Sequence, residues 1–274
     1  MIAGIELLPL GAILFAGLLS GFAAGMFGIG GGFVVVPALL LVLPLLGGSP
    51  DHLAHVAIGT SLATIIPTSL RSLQAHARRG AVEFDILKSW APWIILGAIF
   101  GSWLATILPG PVLLAIFGAG VLLMSLHFLT PFTRGRQLSE TMPGGVARVA
   151  IVGGLGTLSA LLGIGGGTIA VIVMTLCGRS LHRAIATASG LGVLIAIPGM
   201  IGFMLAGFGQ PDLPPGSIGY VNIPAALAIM VTALLTAPLG VAAVHGLPPD
   251  RLRLVFGIYL IVIGAVMIQR GLTV

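Results

Sequence analysis

Charge is what this sequence lacks. Only 7% of its 274 residues are Lys, Arg, Asp or Glu, where soluble domains carry about 25%. Twelve basic and seven acidic side chains cannot clothe a soluble surface of this size. That excludes a soluble enzyme and a disordered tail. It also excludes a nucleic-acid binder, because the basic residues are spread along the chain and form no patch, despite a pI near 10.7. Cysteine is nearly absent: Cys177 stands alone, so there is no intramolecular disulfide and no compartment signal. The seven carboxylates (Glu6, Asp51, Glu83, Asp85, Glu140, Asp212, Asp250) all fall outside the middle of any apolar run. Cation transporters and proton pumps keep Asp or Glu within the membrane. Their absence argues against a carboxylate-built cation site and favours an anionic or neutral substrate. The six His are scattered, with no H-E-x-x-H motif and no Ser-His-Asp set, so neither an enzyme, a metal site nor a cofactor is expected.

What is present is apolar. Hydrophobic residues make up 57% and glycines number 42, with a mean hydropathy of +1.17. This predicts a polytopic all-α membrane protein with interrupted helices, since Gly and Pro are tolerated in spans where neighbours re-satisfy the backbone. Apolar stretches of spanning length fall at about 5–27, 55–77, 87–108, 112–132, 146–162, 182–206, 223–246 and 253–270. Two shorter ones, about 33–46 and 168–178, predict half-helices or re-entrant segments. No Lys or Arg precedes the first apolar run, which predicts a retained first helix rather than a cleaved signal peptide.

The two halves repeat. Gly28-Ile29-Gly30-Gly31-Gly32 recurs as Gly163-Ile164-Gly165-Gly166-Gly167, and His55…Gly59-Thr60 recurs as His182…Ala186-Thr187. At a constant offset of 139, Gly80-Ala81-Val82-Glu83 matches Gly219-Tyr220-Val221-Asn222, Gly101 matches Gly240, and Phe117-Gly118 matches Phe256-Gly257. The division is 1–133 for the first membrane repeat, 134–145 for a cytoplasmic linker and 146–274 for the second repeat. Each repeat holds five helical elements, an odd number, so the second copy is expected to insert inverted. Charge supports this. If the loop after the third element faces the cytoplasm, Arg71, Arg78, Arg79, Lys88, Arg134, Arg136, Arg148, Arg179, Arg183, Arg251 and Arg253 all lie inside and only Arg270 outside, as the positive-inside rule requires. Both termini are then extracytoplasmic.

Inverted repeats with broken helices are the build of secondary transporters. The two glycine runs are the expected breaks. A helix N-terminus offers unpaired N–H groups and the positive dipole end, an anion site that needs no charged side chain. Gly30, Gly31, Gly32, Gly165, Gly166, Gly167 and Thr168 are therefore the predicted substrate-binding backbone, with Thr60, Ser61, Thr187 and Ser189 as supporting hydroxyls. The competing reading gives these glycines to helix packing, as Gly17, Gly21 and Gly25 suggest by their small-xxx-small spacing, and gives the hydroxyls to their own helix carbonyls. His55 and His182 stand at matched helix starts, as interfacial caps or gating groups. Arg71 either snorkels to the inner surface or draws anions inward. Asn222 reads as a cap.

At these residues the chain resembles the TauE/SafE family of sulfite and organosulfonate exporters. The likeness rests on the duplicated G-I-G-G-G runs, Pro37, His55…Thr60-Ser61, Arg79-Gly80 with Glu83, Gly219-Tyr220-Val221-Asn222, and Leu247-Pro248…Arg251-Leu252-Arg253…Phe256-Gly257. It implies export of a small sulfur-containing anion, such as sulfite or sulfoacetate, across a bacterial inner membrane. The second repeat departs with Thr168 in place of Phe33 and no counterpart of Pro37. Alternatives are an anion channel or uniporter for another small anion, and a non-transport membrane scaffold or sensor. The expected partners are the anion and the lipid bilayer, with no nucleic acid, and a homodimer is compatible with the sequence.

Overall fold

The computed structural model describes residues 7–27, 31–130, 138–246 and 249–273. Among them are ten helices: α1 (Leu7–Phe27), α2 (Gly32–Leu46), α3 (Pro50–Ala77), α4 (Phe84–Ile107), α5 (Gly110–Leu129), α6 (Gly145–Leu161), α7 (Gly167–Leu176), α8 (Leu181–Ala206), α9 (Ile223–Gly246) and α10 (Pro249–Thr273). A two-stranded hairpin, β1 (Ser217–Ile218) and β2 (Val221–Asn222), precedes α9. Six helices have stretches long and apolar enough to cross a membrane. The chain is an all-α polytopic membrane protein. At 1.5 Å per residue, α2 reaches only about 22 Å and α7 about 15 Å, short of a hydrocarbon core about 30 Å thick.

Helix starts follow local chemistry. α3 begins at Pro50, earlier than hydropathy alone suggests, because proline suits the first helical position, where its missing N–H costs nothing. Pro249 opens α10 in the same way. Asn222 caps α9: its side-chain oxygen accepts the Ala225 N–H at 3.0 Å, while its amide donates to Pro215 O and Ser217 Oγ, each at 3.0 Å. The hairpin that holds Asn222 was not legible from hydropathy, because two-residue strands carry no period.

α3 and α8 form the centre and pack on each other, with α9 against α3 and α4 against α8. α1 lies on α9, α6 on α4, and α5 pairs with α10. Exchanging the first five helices for the second five preserves each of these pairings. The correspondence reaches single atoms. A Cβ on Gly21 would meet the Ala233 carbonyl, and one on its equivalent Gly156 would meet the Ile94 carbonyl. Gly240 sits likewise against Phe22 O, and Gly101 against Thr157 O. The glycines on these two seams allow backbones to touch, the ordinary use of small residues in membranes.

Two prolines inside α2, Pro37 and Pro44, cannot donate to the carbonyls four residues earlier. α10 supplies the donors. Tyr259 Oη donates to Phe33 O at 3.3 Å, and Arg270 Nη1 donates to Leu40 O at 3.2 Å. Arg270, the one basic residue that the charge count leaves on the opposite side, is thus engaged with a freed carbonyl. Removing either donor leaves an acceptor unsatisfied. Tyr259→Phe is expected to destabilise the protein by about 1–3 kcal/mol, read as a lower unfolding temperature in detergent. An unchanged melting temperature would show that the Phe33 carbonyl finds another partner.

Candidate anion-binding centre

The two glycine runs meet. Gly32 opens α2 so close to Gly163 that a Cβ there would strike the Gly163 carbonyl and approach Ile164 Cα to 3.0 Å. Gly31 and Gly166, the N-cap residues of α2 and α7, both adopt left-handed backbone with φ of 79° and 67°, which glycine takes without strain. Each is faced by a serine from the preceding long helix. Ser20 Oγ lies beside Gly31 and donates to its carbonyl at 3.4 Å. Ser159 Oγ lies 2.8 Å from where a Gly166 Cβ would stand. Gly30 falls outside the described residues; Gly31, Gly32 and Gly163 to Gly167 are all buried.

The first N–H groups of α2 and α7 have no partner within their own helices. On the α2 side the next residue is Phe33, fully buried and apolar. On the α7 side it is Thr168, whose buried hydroxyl has no hydrogen-bond partner, and the Ser159 hydroxyl is likewise buried and unpartnered. A buried hydroxyl left unmatched costs about 1–3 kcal/mol. Two of them flank one helix start, Gly166-Gly167-Thr168. The α7 start is polar and unsatisfied, whereas the matching place at the α2 start holds an apolar side chain.

The other predicted hydroxyls have defined tasks. Ser61 Oγ donates to Gly163 O at 2.8 Å and ties α3 to the second glycine run. Thr60 Oγ1 accepts the Asn222 N–H at 2.9 Å, and Thr187 Oγ1 accepts the Glu83 N–H at 2.9 Å. These two bonds are repeat-equivalent: each threonine of a central helix anchors the start of a flanking one, α9 or α4. Ser189 donates to its own helix at Ala186 O, 2.6 Å away. Glu83 also pairs with Arg179 at 3.3 Å and Arg183 at 3.5 Å, which fastens the start of α4 to the α7–α8 turn and to α8.

The matched histidines part company. His55 is buried, its Nε2 sharing a hydrogen bond with Leu108 O at 3.1 Å and its ring stacked on Tyr220 at 5.0 Å. Tyr220 Oη lies 3.4 Å from His52 Nδ1, and burial pushes its phenol above the ordinary value. His182 is exposed at the start of α8. Arg71 is exposed near the end of α3, away from the glycine runs, and lines a separate pocket with Ser72 and Arg78. Among the described residues no group of three or more His, Cys, Asp or Glu could hold a metal. Sequence reasoning missed Ser159. Its signal was slight: a serine one turn ahead of a glycine run.

The profile of the Sulfite exporter TauE/SafE family matches residues 13–267. The chain belongs to this family. A probable membrane transporter protein of Haemophilus influenzae is 33% identical over 252 residues, covering 91% of this chain and 94% of that one. One from Methanocaldococcus jannaschii is 28% identical over 274 residues, covering 96% of each. One from Bacillus subtilis is 27% identical, covering 93% of this chain and 96% of its own length. No solved structure matches. Like the rest of the TauE/SafE family, the protein is a multi-pass membrane transporter.

Proposed function

We propose that the protein exports a small sulfur-containing anion, sulfite or an organosulfonate such as sulfoacetate, across the bacterial inner membrane by alternating access. The observation that carries the reading is the start of α7. There a left-handed glycine cap opens the helix, Ser159 lies against that cap, Thr168 is the next residue of the helix, and the hydroxyls of both are buried and unmatched. Such a helix start stabilises negative charge through dipoles alone, and an oxyanion there would give the unmatched hydroxyls an acceptor. With no charged side chain among these groups, the anion is held without a fixed ion pair, which favours release. The burial of Gly31, Gly32 and Gly163 to Gly167 suits a closed intermediate better than a continuous pore, so alternating access is preferred to a channel.

The five-helix repeat supports an inverted arrangement with the centre at the repeat interface. In that arrangement the loops bearing Arg78, Arg79 and Arg179 face the cytoplasm and both termini lie outside. A reporter active only in the cytoplasm, fused after Val274, is expected to be silent; an active fusion contradicts the orientation. The substrate class is tested by thermal shift of the purified chain against sulfite, sulfoacetate, sulfate and chloride. Stabilisation by sulfur anions at millimolar concentration, with chloride inert, is the expected result. A flat response to every sulfur anion counts against the proposal.

A further inference from the structure

A second polar feature lies apart from the glycine runs, on the seam between α3 and α9. Arg71, Ser72 and Gln74 of α3 and Arg78 just past its end, with Ala237 and Pro238 of α9, line a pocket of about 120 Å³. Its lining includes two arginines, a glutamine and a serine and, among the described residues, no carboxylate. Ser72 Oγ is buried, on a residue only 4% exposed, and has no hydrogen-bond partner.

The fold does not demand this polarity. Under the repeat correspondence, the α3–α9 seam is equivalent to the α8–α4 seam at the opposite end. There Arg71, Ser72, Gln74 and Arg78 are replaced by Pro198, Gly199, Ile201 and Leu205, and Ala237 and Pro238 by Ala98 and Ile99. One end of the molecule carries a charged pocket and the other end, built from the same helix surfaces, carries none. A topology signal alone requires basic residues on that side but not a concave set of donors around an unmatched serine.

We propose that this pocket is an oxyanion-binding site. Guanidinium groups suit the geometry of sulfate-like and phosphate-like groups, and the unmatched Ser72 belongs to the pocket's wall. Two sources share that chemistry: a free sulfur or phosphorus oxyanion, or the phosphate of an anionic lipid, which basic pockets between helices also bind. Oxyanion binding here stands on the pocket's own geometry. A role in loading the glycine centre from one side, by raising the local anion concentration, rests on the proposed transport function.

The test is sulfate titration of the full chain in nanodiscs of phosphatidylcholine, followed by calorimetry, on wild type and on Arg71→Gln/Arg78→Gln, Ser72→Ala and Thr168→Val. The Arg double variant is expected to lose the pocket's sulfate binding by about tenfold or more, and Ser72→Ala to weaken it by less. Arg71→Lys/Arg78→Lys keeps the charge and serves as the folding control. Thr168→Val is expected to leave this binding intact, which separates failure here from failure of the glycine centre. Repeating the titration with phosphatidylglycerol in the disc separates the sources: weakened sulfate binding assigns the site to the lipid phosphate, and unchanged binding to a free anion. The proposal is overturned if the Arg double variant and Ser72→Ala bind sulfate as wild type does, or if Thr168→Val abolishes all sulfate binding.

Discussion

Gly166→Val is expected to abolish transport and to lower stability measurably. Two costs combine. Gly166 holds φ at 67°, a region that costs a residue with a Cβ about 1–2 kcal/mol, and more for a β-branched one. The added Cβ also has no room: it would overlap Ile195 Cδ1, stand 2.8 Å from Ser159 Oγ and 3.1 Å from Leu155 Cδ2. Forcing extra carbon into such a space costs about 1–3 kcal/mol and displaces the hydroxyl that faces the start of α7. Gly154→Ala is the matched control on α6, where a Cβ meets nothing within 4 Å. It is expected to leave flux unchanged and to stabilise the helix slightly. Wild-type expression and flux in Gly166→Val would remove the α7 start from the account.

Thr168→Val separates a binding role from a packing role, because the two predict opposite pairings of stability and activity. The Thr168 hydroxyl is buried without a hydrogen-bond partner. Replacing it with an isosteric methyl removes that penalty, so the variant is expected to be as stable as wild type or up to about 1–3 kcal/mol more stable. If the hydroxyl exists to meet the anion, the same change weakens sulfite or sulfoacetate binding by about tenfold or more, and flux falls with it. Ser159→Ala is expected to behave in the same way. A gain in stability with unchanged flux would make both hydroxyls incidental. A loss of stability would mean that each has a structural partner in the resting protein. Strained or unsatisfied groups that persist at a buried point are a recurrent mark of functional sites.

Much of the architecture was legible in the sequence because membrane solvation constrains it so strongly. Apolar length located the helices to within a few residues, and the duplicated glycine runs marked the starts of α2 and α7. The two elements expected to be short are short, at 15 residues for α2 and 10 for α7. The division of labour within the centre was not legible. Thr60 and Thr187 are equivalent in sequence and in structure, yet their partners, Asn222 and Glu83, come from distant segments that only the tertiary fold brings near. Pro37 and Pro44 free two carbonyls of α2, and nothing local in the sequence indicates that Tyr259 and Arg270 supply the donors. The pairing of His55 with His182 looked symmetric and is not, because burial depends on what packs against each helix start. Tyr220 covers His55, whereas its repeat counterpart is Ala81.

The asymmetry of the centre sharpens the chemical expectation. Phe33 and Thr168 occupy equivalent places, so the anion is expected to rest against the α7 start and not midway between two identical half-sites. An anion with oxygens for the Thr168 hydroxyl and an organic substituent suits a centre that is polar at Thr168 and apolar at Phe33. Sulfoacetate and other sulfonates meet that description, and sulfite meets its polar part.

The most direct measurement is efflux of sulfur-labelled sulfite and sulfoacetate from proteoliposomes containing the purified chain, compared with Thr168→Val at equal reconstitution. Saturable efflux of at least one anion, competed by the other and reduced about tenfold in the variant, is the predicted result. Efflux no faster than from empty liposomes, or efflux untouched by Thr168→Val, would contradict the claim that the start of α7 carries the anion.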